Sequence, residues 1–136
     1  MQSEPVGAWE SWNAIAVVEL DDLDTTLRPL YALGWLRTEI NNGGFSQLFF
    51  NSAGDLVPDA VAAARSAGAH DLAHLVEEAM SLLGSGYVVD RSLRQDRLLA
   101  LTDVDELRLS QLNDRYFELE VSTDLDAVMA QLVTGP

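Results

Sequence analysis

Residues 69–83 read Ala69-His70-Asp71-Leu72-Ala73-His74-Leu75-Val76-Glu77-Glu78-Ala79-Met80-Ser81-Leu82-Leu83. Leu72, Leu75, Val76, Ala79, Met80 and Leu83 recur at the i, i+3, i+4 spacing of a single helix face, so the stretch is expected to be an amphipathic helix. Gly68 before it and Gly84 after it stand where a residue just past a helix end takes a left-handed backbone. The same reading extends in both directions. Upstream, Asp55 is expected to cap a helix over Leu56–Ala67, with Pro58 in its first turn, where a missing N–H is harmless. Further upstream, Trp9, Trp12, Ile15 and Ala16 predict a first helix ending near Leu20. Pro29 then opens a second helix, with Leu30, Leu33, Leu36 and Ile40 along its buried side. Downstream, a helix is expected near Ser92–Leu101. Asp103 and Glu106 form a capping-box variant ahead of Leu107–Leu119, whose Leu109, Leu112, Tyr116 and Leu119 make one stripe. Thr123 and Asp126 repeat that signal before a last helix carrying Leu125, Val128 and Leu132. Strict period-two alternation never persists, and linkers of two to six residues imply antiparallel neighbours. The expected architecture is all-α, a compact single-domain bundle of about seven or eight short helices over residues 1–136.

A chain of 136 residues with 48% hydrophobic content is long and apolar enough to bury a core. It has no cysteine, which excludes disulfides, thiolate metal sites and a cysteine nucleophile. It has no lysine either; its eight basic residues are all arginines, set against 22 acids for a net charge of −14. Such a balance makes the electrostatics of binding nucleic acid or anionic lipid repulsive, so neither direct nucleic-acid binding nor membrane association is expected. A basic protein surface is the expected partner. The acids are unevenly placed: residues 1–27 hold six (Glu4, Glu10, Glu19, Asp21, Asp22, Asp24) and residues 116–136 hold four (Glu118, Glu120, Asp124, Asp126), with no arginine in either segment. If those segments meet in a fold or a dimer, Glu19, Asp21, Asp22, Asp24, Glu118, Glu120, Asp124 and Asp126 would form a dense acidic array for such a partner. The opening residues MQSEPVGAWESW lack a basic region and an apolar core, and no run approaches the ~18 apolar residues of a membrane span, so a cytoplasmic location is expected.

Catalytic and metal-binding patterns are few. His70 and His74 stand at the i, i+4 spacing that can chelate zinc. Glu77, the third candidate ligand, lies about 10 Å from His70 along the axis, and the face reads as the polar side of an amphipathic helix. Carboxylate pairs such as Asp21/Asp22 and Glu77/Glu78 are expected by chance among 22 acids. Asp21-Asp22-Leu23-Asp24 lacks the glycine and the distant glutamate of a calcium loop. No nucleophile elbow, phosphate loop or dinucleotide fingerprint occurs. The expectation is a protein that is not an enzyme and uses no metal or cofactor.

The least ordinary segment is Glu39-Ile40-Asn41-Asn42-Gly43-Gly44-Phe45-Ser46-Gln47-Leu48-Phe49-Phe50-Asn51-Ser52-Ala53-Gly54-Asp55. Asn and Gly tolerate positive φ, so Asn41–Gly44 is expected to end one helix, turn sharply and start another. Phe45 and Phe49, with Phe50 as a third candidate, would then enter the core. The functional alternative makes Asn41, Asn42, Gln47 and Asn51 a polar pocket, and since no amide is a general base, such a pocket would bind rather than catalyse.

This segment resembles the signature E-x-N-N-G-G-F-x-Q-x-F-x-N-S-x-G of an uncharacterised bacterial domain family typified by an acidic, all-helical DNA-mimic protein. Glu39, Asn41, Asn42, Gly43, Gly44, Phe45, Gln47, Phe49, Asn51, Ser52 and Gly54 carry the match, with Leu48 where an aromatic is common and Ala53 where a second serine is frequent. The stretches Ala64–Ala69 and Leu109–Phe117 fit the same family, so the similarity spans about residues 27–132. The resemblance implies the helical fold. It also implies a homodimer that occupies the DNA-binding face of a helix-turn-helix transcription factor, although no individual carboxylate is carried over by the motif. Two other classes are consistent with the residues. One is a generic acidic scaffold whose charge serves solubility. The other is a small hydrolase or small-ligand-binding domain built on the amide-rich corner.

Overall fold

In a computed structural model, which describes residues 7–134, the helical periodicity is realised throughout and no strand occurs among those residues. Seven helices follow one another: α1 (Ala8–Ile15), α2 (Arg28–Phe50), α3 (Val57–Ser66), α4 (His70–Ser81), α5 (Arg91–Leu99), α6 (Asp103–Ser122) and α7 (Leu125–Thr134). Short 3₁₀ turns at Leu20–Asp22, Thr25–Leu27 and Ser52–Leu56 complete the connections. Glu4 lies outside the described residues. Among those residues, no helix is long and apolar enough to cross a membrane.

Helix α2 is the axis of the molecule and packs against α1, α3, α5, α6 and α7. Its predicted stripe of Leu30, Leu33, Leu36 and Ile40 is buried, as are Phe45, Leu48 and Phe49 beyond the corner. Phe50 is not part of this core: the residue next to Phe49 faces outward and is 44% exposed. The buried side chains of α3, α4, α6 and α7, among them Val57, Leu72, Val76, Leu112, Tyr116 and Met129, join the α2 stripe in one continuous cluster. Gly68 (φ 83°) ends α3, and Gly84 (φ 113°) follows α4, each in the left-handed backbone expected of it.

Several helix boundaries differ from those expected, each for a local reason. The first helix stops at Ile15, not near Leu20, because the chain turns to place the Val18 carbonyl where the Tyr31 hydroxyl donates to it at 3.0 Å. Asp55 does not cap α3; it sits inside the preceding 3₁₀ turn and pairs with Arg94 at 2.9 Å, while α3 starts at Val57-Pro58 with no side-chain cap. Asp90 caps α5 by accepting from the Leu93 N–H at 2.9 Å. Helix α6 starts at Asp103, four residues ahead of the expected Leu107. Its cap is Thr102, whose hydroxyl accepts from the Asp105 N–H at 3.1 Å, so Asp103 and Glu106 lie in the first turn rather than forming a box. Asp124, not Thr123 or Asp126, caps α7, accepting from the Ala127 N–H at 3.0 Å.

Candidate functional site

The corner in α2 is the centre of the signature. Gly43 (φ −155°, ψ 17°) and Gly44 (φ 74°, ψ −173°) depart from helical backbone, so only Gly44 occupies the left-handed region that a side chain resists. The break leaves the Phe45 N–H without an intrahelical acceptor, and the Asn113 side chain on α6 supplies one at 2.8 Å. Asn113 also fills the space above Gly44: a Cβ there would stand 2.7 Å from its Nδ2. The amides of the signature then close on one another. Asn42 donates to Gln47 Oε1 at 3.1 Å, and Gln47 and Asn51 both donate to Glu39 Oε2, at 2.7 and 3.0 Å. Asn41 faces the other way and donates to Glu120 Oε2 at 3.1 Å. The side-chain N–H groups of all four amides are thus engaged within the chain, with Asn41 and Asn42 exposed and Gln47 and Asn51 half-buried. Ser52 is exposed at the end of the segment.

Just past the corner lies Arg94, which is wholly buried. Its Nε donates to the Phe49 carbonyl at 2.6 Å and its Nη2 to that of Asn51 at 2.9 Å. Its Nη1 reaches the Val89 carbonyl at 2.8 Å and Asp55 at 2.9 Å. Gly54 is required beside it, since a Cβ there would meet Nη2 at 2.6 Å. Arg37 plays the corresponding part on the opposite flank. It is 5% exposed, forks onto Glu120 through Nε (3.1 Å) and Nη2 (2.7 Å), and donates through Nη1 to Asp126 at 2.9 Å. Trp9 lies under its guanidinium, 4.8 Å from the ring centroid, and donates its own N–H to Asp126 at 2.9 Å. The Tyr116 hydroxyl donates to Glu120 in a short contact.

These bonds decide the titration of the group. Burial opposes the charged form of Glu120, but the bonds from Arg37, Tyr116 and Asn41 outweigh it and hold the carboxyl below its usual range. The Arg37 bond likewise lowers Asp126, against partial desolvation. Burial, reinforced by Glu120, pushes the Tyr116 phenol well above its ordinary value. A carboxyl lowered by folding stabilises the native state above its unfolded pKa, near 4.3 for glutamate, and that contribution fades as pH falls through the folded value. The melting temperature should therefore drop on acidification below about pH 4.3, and Glu120→Gln should flatten that dependence while lowering the melting temperature at pH 7. Melts recorded from pH 7 to 3 check this; parallel curves for the two proteins would refute the assignment.

Of the eight candidate partner-binding acids, the structure leaves Glu19, Asp21, Asp22, Asp24, Glu118, Asp124 and Asp126 exposed and Glu120 half-buried. They are not all uncompensated, as the distribution of arginines along the chain implies, because Arg37 reaches across from α2 to neutralise Glu120 and Asp126. Asp24 accepts from the Thr26 N–H at 3.0 Å and is lowered by that bond. The terminal segments meet where α1 packs on α7 and Trp9 bonds Asp126. Arg37 and Asn41 face Glu120 from one side of α2, whereas Glu39, roughly 200° around the helix from each, faces the recess that Glu19 borders. Of the histidine pair, His70 and His74 are exposed and Glu77 is turned onto Arg65.

Arg37, Arg94, Asn113 and Tyr87 were not singled out from sequence, although two of them left a signal. Arg37 interrupts the apolar stripe of α2 beside Leu33 and Ile40, and Arg94 precedes Leu98 and Leu101 at helical spacing. A cation inside an apolar stripe is expected to be buried with partners. Tyr87 donates to the Gly54 carbonyl at 2.7 Å and lies 6.0 Å from the Arg94 guanidinium, closing the far side of that site.

What these features define is an acidic, all-helical chain whose cations are turned onto its own acids and carbonyls. The chain belongs to the DMP19-like protein family, which matches residues 21–134. The match begins upstream of residue 27 and takes in Asp21, Asp22 and Asp24. No curated protein and no solved structure matches the chain.

Proposed function

We propose that this chain is an acidic protein-binding module, not an enzyme, and that its partner is a basic protein surface: in the sharper form, the DNA-binding face of a helix-turn-helix transcription factor, with the chain standing in for DNA. The observation that carries this reading is the fate of the positive charge. Arg28, Arg37, Arg65, Arg94, Arg108 and Arg115 pair with Asp59, Glu120 and Asp126, Glu77, Asp55 and Glu78. Arg91 and Arg97 donate to the Phe50 and Leu83 carbonyls. Every arginine is thus engaged internally, while Glu10, Glu19, Asp21, Asp22, Asp71, Asp96, Asp103 and Glu118 are exposed and form no ion pair among the described residues. B-DNA carries one negative charge per ~1.7 Å of axis, and the run Glu19, Asp21, Asp22 and Asp24 sets four exposed acids close together in the chain to imitate it.

Binding of this kind is steered by long-range attraction and weakens steeply with salt. The immobilised protein should retain a basic regulator from the native cell at low ionic strength, and duplex DNA should displace it. Asp21→Arg with Asp22→Arg should slow association at least about tenfold and shift stability by less than about 0.5 kcal/mol. A retained protein that DNA cannot displace would defeat the mimic reading, and an association rate indifferent to both reversals would defeat the acidic-surface reading altogether.

A further inference from the structure

The recess bordered by Glu19 and Leu20 on one side and by the Ser52–Leu56 turn on the other has a volume of about 290 Å³. That is at or below the lower limit for drug-sized ligands and suits a single side chain. Its walls are partly apolar, with Leu20, Tyr31 and Trp35, and it carries three acids, Glu19, Glu39 and Asp55. Asp55 is already paired with Arg94. Glu39 is different. It is only 9% exposed, it has no arginine, and both of its donors, Gln47 and Asn51, land on Oε2. Among the described residues no fully buried side-chain oxygen lacks a partner, so Oε1, which receives no bond, is open to solvent, and Glu39 lines the recess. A carboxylate this buried, held by two neutral amides with one oxygen unbonded, lacks the cation that usually accompanies it.

We infer that this recess is a cation subsite, and that its occupant is the guanidinium of an arginine side chain presented by the basic partner. The apolar walls match an alkyl stem whose charged head lies deeper or at the rim. The Trp35 and Tyr31 rings offer aromatic contact to a cation. Glu39 Oε1 is the acceptor for a charge-assisted bond, with the exposed Glu19 at the mouth. The subsite rests on the basic-partner reading and gives that reading one anchoring residue on the partner's side. It also explains why a chain with so many surface acids keeps one acid buried and incompletely bonded.

The test is a titration of the full chain with N-acetyl-arginine amide, followed by the tryptophan indole N–H resonances, with Trp35 assigned through Trp35→Phe. The arginine derivative should shift the Trp35 signal saturably, and its neutral isostere N-acetyl-citrulline amide should bind about tenfold more weakly. Glu39→Gln should weaken arginine binding by a similar factor. Because Glu39 also holds Gln47 and Asn51, Glu19→Gln at the exposed rim serves as the second variant and should weaken binding about threefold in a protein that melts like the parent. Equal binding of arginine and citrulline derivatives, or binding unchanged in both variants, would overturn the subsite. Spermidine binding tighter than the arginine derivative would overturn the partner side chain as its occupant and point to a free polyamine. Since no partner enters the titration, arginine binding without retention of any DNA-displaceable protein would leave the subsite in place and remove the partner reading. Retention without arginine binding would remove the subsite alone.

Discussion

Arg94→Met should lower stability by about 3–5 kcal/mol, the cost of breaking a buried charged network by removing one partner. Methionine fills much of the same volume, so the loss isolates the bonds. Without the guanidinium, the carbonyls of Phe49 and Val89 and the carboxylate of Asp55 lose this donor at once, and the Asn51 carbonyl keeps only its bond from the Gly54 N–H at 3.0 Å. Arg94→Lys should recover only part of the loss, because an ammonium is a point charge and cannot reach three separate carbonyls in a fixed planar fork. A melting temperature roughly 10–20 °C below the parent is the expected reading for Arg94→Met. A variant within about 1 kcal/mol of the parent would show that the clasp is not what joins α5 to the end of α2.

Gly44→Val should be the next most damaging change. A β-branched residue at φ 74° is strained by about 1–3 kcal/mol. The added Cβ would also collide with Asn113, whose bond to the Phe45 N–H starts the second half of α2. Gly43→Val should cost less. Its backbone lies outside the left-handed region; the Gln47 amide it meets can swing aside at the expense of its bonds with Asn42 and Glu39, whereas Gln47 Cβ, 2.8 Å from the added atom, yields only by a small backbone shift. Chemical denaturation of the two variants checks the order. Equal losses would mean that the corner tolerates either glycine as its pivot.

The elements with long, regular stripes are legible in the sequence. Leu72, Leu75, Val76 and Ala79 define α4 without ambiguity, and Leu30 through Ile40 define the first part of α2, because burial of one face requires that spacing whatever surrounds it. The corner is legible too, since two adjacent glycines after two asparagines leave few other backbone conformations. The caps are not. Asp55, Asp103 and Asp126 each stand near a helix start, yet Asp90, Thr102 and Asp124 do the capping among the residues that start α5, α6 and α7. In a chain this rich in aspartate several residues near each start satisfy the local rule. The choice is made by tertiary partners, here Arg94 drawing Asp55 and Arg37 drawing Asp126. The same reach defeats a count of charge along the chain: Arg37 neutralises carboxylates 83 and 89 positions away. For the candidate site, Glu39 is visible as part of a signature, but its one unbonded oxygen facing a recess depends on where Gln47 and Asn51 point, which no spacing rule reports.

The three indoles have a bearing on how the molecule can be watched. Trp9 and Trp12 lie 5.4 Å apart edge to face, Trp12 and Trp35 lie 5.2 Å apart, and together they seat α1 on α2 and α7. Optically they are one coupled chromophore at one end of the bundle, while α3 through α6 contain none. Tryptophan emission therefore registers the undocking of the first helix, and far-ultraviolet ellipticity registers the rest. Coincidence of the two signals in a melt is thus a demanding check that the whole chain unfolds as a unit.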